Sequence, residues 1–182
     1  MGGSVLGTDF IYGFPGTIAR HGDEVIKSRP VHSGATIPFG TPVVLYKDNG
    51  VSDGTVQPFG ANDTSADFVG IACRKTKHSI SADENFGKYH DNEIADIIER
   101  GSVMVVCPTG SPSPGSKVYI RVALNTTDYP DAKVGDIEAV SDTVTNNGQT
   151  TYNNLEITNC KFFSGKDANN VVELVILERQ GV

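Results

Sequence analysis

IPFGTPVVLYKDNGV, residues Ile37 to Val51, is the stretch on which the fold class turns. Ile-Pro-Phe runs into Gly40, Thr41-Pro42 restarts the chain, Val43-Val44-Leu45-Tyr46 follow, and Lys47 leads into Asp48-Asn49-Gly50. Pro42 is tolerated at a strand start. The β-branched and aromatic residues after it suit a pleated, half-buried surface. Asn and Gly accept the positive φ that a tight turn needs. The stretch therefore reads as a strand, Thr41 to Lys47, entered by one turn and left by another. Whether it walls a reactive site depends on the side chains that the rest of the chain brings to it.

The same grammar repeats on both sides. Val25 to Val31 reads as a strand closed by Pro30 and His32-Ser33-Gly34. Ser52-Asp53-Gly54 reads as a further turn. FVGIACR, Phe68 to Arg74, is a near-continuous apolar run, the pattern of a strand covered on both faces. Ser102 to Cys107 alternates, and Lys117 to Ala123 alternates with Val118, Ile120 and Val122 inward and Lys117, Tyr119 and Arg121 outward. Between them, Pro108 to Gly115 holds three prolines and two glycines in eight residues. Asp136 to Val140, Leu155 to Phe163 and Val171 to Glu178 continue the series, and Asn146-Asn147-Gly148 marks a turn. One segment stays open. In DNEIADIIERG, Asp91 to Gly101, Ile94, Ile97 and Ile98 sit at helical spacing, while the neighbours argue for a short strand, Ile94 to Ile98, so strand or helix is left open over 92–99. About nine short strands with frequent turns predict an all-β fold, an antiparallel β-sandwich, jelly roll or barrel.

The first 22 residues read differently. MGGSVLGTDFIYGFPGTIARHG carries six glycines and one proline, with Val5, Leu6, Phe10, Ile11, Tyr12 and Phe14 among them. That is too apolar for a solvated tail and too rich in glycine for a regular element. The organisation expected is an extended arm, residues 1–22, on a β-domain, residues 23–182, that folds without it. The arm's six large apolar side chains are the candidate interaction residues.

The totals narrow the function. A chain of 182 residues with 38% apolar residues can bury a core without disulfides or metal. Its net charge is -7, and no basic cluster offsets it, so nucleic acid is not an expected partner. No run approaches the roughly 18 apolar residues of a membrane helix, and the opening residues lack a signal-peptide pattern. Cys73, Cys107 and Cys160 are odd in number and widely spaced, which predicts buried, reduced thiols and folding in a reducing cytoplasm.

Chemistry is sparse. His21, His32, His78 and His90 lie in no local signature with a cysteine nucleophile. No His-x-His, His-x-x-x-His or Cys-x-x-Cys pair occurs. Asp63, Ser65 and Asp67 have the alternate spacing of a calcium loop but lack its central glycine and distal glutamate, and a solvated turn is the simpler reading. Phosphate-binding glycine loops are absent. No cofactor, metal or catalysis is expected. Phe86, Tyr89 and Tyr129 are candidate platforms for a sugar, which keeps a carbohydrate-binding β-sandwich of a phage or bacterial surface protein as the alternative function, and the absence of tryptophan counts against it.

The order of landmarks resembles the structural cement, or decoration, proteins of tailed bacteriophages. The matching stretches are GFPGTIAR (Gly13 to Arg20), IPFGTPVVLY (Ile37 to Tyr46), FVGIACR (Phe68 to Arg74), ERGSVMVV (Glu99 to Val106), PGSKVYIRV (Pro114 to Val122) and VVELVIL (Val171 to Leu177). The resemblance implies a β-sandwich, often of jelly-roll type, on the outside of an icosahedral head. It implies major capsid protein as the partner, homo-oligomers (dimers or trimers), and a virion location after assembly in host cytoplasm. None of the landmarks is catalytic. Asp128 to Asn154 carries no landmark, and the edge it covers is left open.

Overall fold

The computed structural model of the chain describes residues 13–75, 87–146 and 149–179. The turn read at Asn146-Asn147-Gly148 falls partly outside them, as do Phe86 and His78. The described strands are β1 (Ile18–Pro30), β2 (Ile37–Pro38), β3 (Pro42–Asp48), β4 (Val51–Pro58), β5 (Phe68–Ala72), β6 (Lys88–Tyr89), β7 (Ile94–Val106), β8 (Lys117–Arg121), β9 (Ile137–Glu138), β10 (Thr143–Asn146), β11 (Gln149–Tyr152), β12 (Asn154–Phe162) and β13 (Val171–Ile176). The only helical element among the described residues is a 3-10 turn, Ser65–Asp67. The fold is all-β, and its named strand pairs are antiparallel.

One sheet dominates, in the order β4-β3-β5-β7-β13-β12-β8-β9, with β1 also on β7. β7 explains how it curls. Its Ile98 pairs with Ile26 of β1 and Ile71 of β5, while its Val103 pairs with Ile18 of β1 and Leu174 of β13. Thus β1 runs along one edge of β7, and the other edge serves β5 first and β13 from Gly101 onward. Gly101 sits where one partner gives way to the next, at φ +112, and a Cβ there would lie 3.0 Å from the Glu24 backbone. This is why Asp91 to Gly101 is not a helix. The glycine that could have capped one instead bends a 13-residue strand.

Both halves of the folded sheet bury side chains. Val44, Phe68, Ile71, Cys73 and Ile98 join Val118, Ile157, Phe162, Val172 and Leu174 in one core. Val43, Val69, Ala72, Ala95 and Ile97, from the opposite faces of β3, β5 and β7, form a second core with Ile37, Phe39, Val56 and Tyr89. The continuous apolar run at Phe68 is therefore covered on both sides, as its composition requires. Gly70 makes room for this, since a Cβ there would lie 2.2 Å from the Ile98 carbonyl oxygen.

Three local expectations change. Ser52-Asp53-Gly54 lies within β4, because Asn49 (φ 49) and Gly50 (φ 81) alone turn the β3–β4 hairpin, with Asp48 opposite Val51. β1 begins at Ile18, so residues 18–22 of the stretch read as arm are already strand. Arg121 does point away from the apolar core, yet it is fully buried. The segment after it, whose edge was left open, supplies the cover: β9, within the strand read at Asp136 to Val140, extends the sheet at the β8 edge, and Glu138, Asp142, Asn153 and Asn154 close over Arg121.

That cover is a buried ion network. Arg121 donates from Nε and Nη2 to both oxygens of Glu138 (2.6 and 2.9 Å) and from Nη1 to Asp142 Oδ2 (2.8 Å). Asn154 donates to Glu138 Oε2, and Asn125 and Asn153 donate to Asp142 Oδ1. Burial pushes the Asp142 carboxyl up, but the hydrogen bonds from Arg121, Asn125 and Asn153 outweigh it and leave its pKa below the ordinary value.

Candidate interaction site at the arm root

Of the arm residues singled out in the sequence, Val5, Leu6, Phe10, Ile11 and Tyr12 lie outside the described residues. Phe14 is described and is 70% exposed, with the Arg74 guanidinium carbon 5.4 Å from its ring centre. What the structure does define is how the arm is rooted.

Gly13-Phe14-Pro15-Gly16 docks on Phe39-Gly40. A Cβ on Gly16 would lie 2.8 Å from Phe39 Cβ, and one on Gly40 would lie 2.8 Å from Pro15 Cβ, so each glycine admits the other's neighbour. Backbone bonds fix the contact: Gly16 N–H donates to the Met104 carbonyl (2.7 Å), Arg74 N–H to the Gly16 carbonyl (2.7 Å), and Met104 N–H to the Thr17 carbonyl (2.8 Å). Gly40 N–H donates to the Ala72 carbonyl. The root is thus held by β7 on one side and by the end of β5 on the other.

Four residues further on, Arg20 crosses the outward face of the sheet. Its Nε and Nη2 donate to Glu173 of β13 at 2.6 and 3.2 Å, and its guanidinium carbon stands 4.3 Å from the centre of the Phe163 ring. The register accounts for this reach. Arg20 lies opposite Ser102, Ser102 opposite Val175, and Glu173 opposite Met104. The hydrogen bond to Glu173, and then its charge, raise the Arg20 pKa. Phe163, under the guanidinium, is 47% exposed, and Val106, further along β7, is 38% exposed. A cleft of about 260 Å³ next to the root is lined by Phe39, Gly40, Pro42, Val106 and Ile137.

The other candidates are accounted for. Asp63 Oδ2 accepts the Gly60 N–H, and Asp67 accepts from Thr64 N–H, Thr64 Oγ1 and Lys47 Nζ. Hydrogen bonds from Lys47 and Thr64 lower Asp67 to about 2. These carboxylates build a turn and its ion pair. Among the described residues no group of three or more His, Cys, Asp or Glu could hold a metal ion. Tyr89 is not a surface platform for a sugar: it is 1% exposed, donates its hydroxyl to the Cys73 carbonyl (2.7 Å), and packs edge-on against Phe39. An isolated aromatic in a polar loop gave no sign of this. Tyr129 is half-buried, its ring centre 5.3 Å from the Arg121 guanidinium carbon. All three cysteines are free and buried, as expected. Burial pushes the Cys73 thiol up to about 12 and Cys107 up to about 11 and raises Cys160 as well, so thiolates are scarce at neutral pH.

Sequence reasoning missed Arg20, Arg74, Phe163 and Glu173 as a group. Part of the signal was present: Arg20, Arg74 and Glu173 lie in landmark stretches that themselves show no chemistry, whereas Phe163 ends the Leu155 to Phe163 stretch outside all of them.

A family model described as structural cement protein (E217 gp24/Pam3 gp6) matches residues 4–177. A chain in a solved structure titled "The capsid of Myoviridae Phage XM1" superposes with a TM-score of 0.65 and 18% identity, over 96% of this chain and 96% of that one. At that identity the likeness speaks to the fold alone. A search of curated proteins finds no match.

Proposed function

The chain belongs to the structural cement proteins of phages, and from that premise we propose that it binds the outer surface of a phage head and clamps neighbouring major capsid subunits without catalysing a reaction. The β-domain rests on the shell, and the arm, through Val5, Leu6, Phe10, Ile11, Tyr12 and Phe14, docks outside its own domain on an adjacent subunit. The protein acts as a dimer or trimer.

The observation that carries this reading is the convergence at the arm root. GFPGTIAR, IPFGTPVVLY, FVGIACR, ERGSVMVV and VVELVIL all meet there, through Gly16 on Phe39, Phe14 under Arg74, Gly16 on Met104, and Arg20 on Glu173. Motifs spread over most of the chain converge to hold one departure point, which is what a clamp needs. Weak single contacts suffice for such a protein, because a lattice multiplies them. The raised thiol pKa values support a role without nucleophilic chemistry.

The test uses heads assembled without the protein. Added full-length protein should co-sediment with them and saturate, and protein lacking residues 2–12 should bind at least tenfold more weakly. Failure of the full-length protein to bind overturns the capsid reading. Equal binding by the truncated form overturns the arm's role.

A further inference from the structure

Glu99 of β7 is buried under three cations. Its Oε1 accepts from Arg29 Nη2 (3.0 Å), its Oε2 accepts from Arg179 Nε (3.0 Å), and Lys27 Nζ stands 3.6 Å from Oε2. The two guanidinium groups already supply the carboxylate with hydrogen bonds and more than its counter-charge. Lys27 is exposed and outside hydrogen-bond range, and an ion pair of that kind adds little to a fold. Arg29 Nε is buried and has no hydrogen-bond partner among the described residues. The neighbouring acids are engaged elsewhere: Asp23 with Arg100, Glu24 with His21, and Asp96 with the Ser28 hydroxyl. A chain of net charge -7 thus keeps a local surplus of positive charge on β1.

The strand that carries the surplus is open on one side. Residues 26–30 of β1 run in unbroken register against 98–94 of β7. On the other edge no described strand pairs with them, and the bridge from Val31 to Val56 falls past the strand's end. Lys27 and Arg29 lie two positions apart, so they share one face of this edge strand. An open edge offers main-chain donors and acceptors, which an extended peptide satisfies and a lone anion does not. The cations require that peptide to be acidic. A second copy's β1 does not qualify, because two-fold pairing over these residues brings like charges together. Gln180-Gly181-Val182, which follow Arg179, carry no acid.

We propose that the open edge of β1, over residues 25–30, receives an extended acidic segment of the major capsid protein. The proposal rests on the reading that the β-domain sits on the shell, and it names the strand that makes the contact. Carboxylates two residues apart on the incoming segment face Lys27 and Arg29, and main-chain hydrogen bonds fix its register. Arg179 keeps Glu99 neutralised while Lys27 and Arg29 turn to the partner.

Zero-length carbodiimide coupling tests this with the full chain on decorated heads, followed by mass spectrometry of the linked peptides. The expected product joins Lys27 to an Asp or Glu of the major capsid protein. Coupling of Lys27 only within its own chain, to Glu99 or to Asp9, Asp83 or Glu84, overturns the proposal in favour of a self-contained ion cluster. Coupling only to a second copy of this chain overturns it in favour of self-association. Heads that are decorated but yield no Lys27 product overturn it and leave the capsid reading standing, whereas failure of the protein to bind heads at all overturns both. As an independent readout, Lys27→Gln should weaken decoration at least tenfold, with a melting temperature within a degree or two of the parent. Lys27→Arg, which keeps the charge, should restore it, and added salt should weaken the parent more than Lys27→Gln. Undiminished decoration by Lys27→Gln, or equal losses for Lys27→Gln and Lys27→Arg, counts against the proposal.

Discussion

Replacing Arg121 with methionine removes the cation from a closed site. The guanidinium makes three hydrogen bonds to two carboxylates, and Arg121 and Glu138 are both 0% exposed. The substitution leaves Glu138 and Asp142 facing each other with only the amides of Asn125, Asn153 and Asn154 as donors. Stranding one buried partner costs about 3–5 kcal/mol. Two are stranded here and amides remain for both, which sets the expectation near 4 kcal/mol. For a domain of this size that is about 8–16 °C of melting temperature. The pH dependence has a definite sign. In the native protein the depressed Asp142 pKa contributes stability that is complete above the ordinary aspartate value of about 3.9 and is lost as pH falls through the folded value. In the variant Asp142 keeps its burial but lacks its cation, and so gains by protonating. The stability gap between the two proteins should therefore narrow between pH 7 and pH 4. Urea titration followed by far-UV circular dichroism at both pH values measures it. A loss below 1 kcal/mol at pH 7, or a gap that widens on acidification, refutes the view that Arg121 neutralises two buried charges.

Deleting residues 2–12 should leave the melting temperature within a degree or two of the full-length value, whereas deleting 2–16 should lower it measurably, because Pro15 and Gly16 pack on Gly40 and Phe39; calorimetry compares them. Gly40→Ala should cost about 1–3 kcal/mol more than Gly34→Ala, since both glycines have positive φ (+80 and +79) but only Gly40 has a neighbour, Pro15 Cβ at 2.8 Å; equal losses in chemical denaturation would remove the argument for a close-packed root. A bulky thiol reagent should label none of Cys73, Cys107 or Cys160 rapidly in the native state and all three in denaturant; fast native labelling contradicts their burial.

The strands were legible wherever a local pattern carried them. Thr41 to Lys47 and Lys117 to Ala123 announced themselves by alternation and flanking turns, and Phe68 to Arg74 by its unbroken apolar run. The bend in β7 was not, because Gly101 reads the same whether it caps a helix or lets a strand change partners; pairing across the sheet decides between them. Arg121 was placed on the correct side of its strand and still assigned to solvent. Its burial depends on Glu138 and Asp142, which are 17 and 21 residues away, and although Asp136 to Val140 read as a strand nothing local told which edge it covers. The interaction site was legible only as an arm. Its root depends on contacts between residues far apart in sequence, such as Arg20 with Glu173, separated by 153 positions. Phe86 and Tyr89 looked alike in one polar loop, and only the pairing of β6 with β2 draws Tyr89 into the core.

The central claim is a clamp on the outside of the head, and electron cryomicroscopy of the intact virion tests it most directly. The account predicts density matching the curled β-domain on the outer surface, contacting at least two neighbouring major capsid subunits, with the segment before Gly13 leaving its own domain to reach an adjacent subunit. Density confined to a single capsid subunit, lying inside the shell, or absent from the head would contradict it.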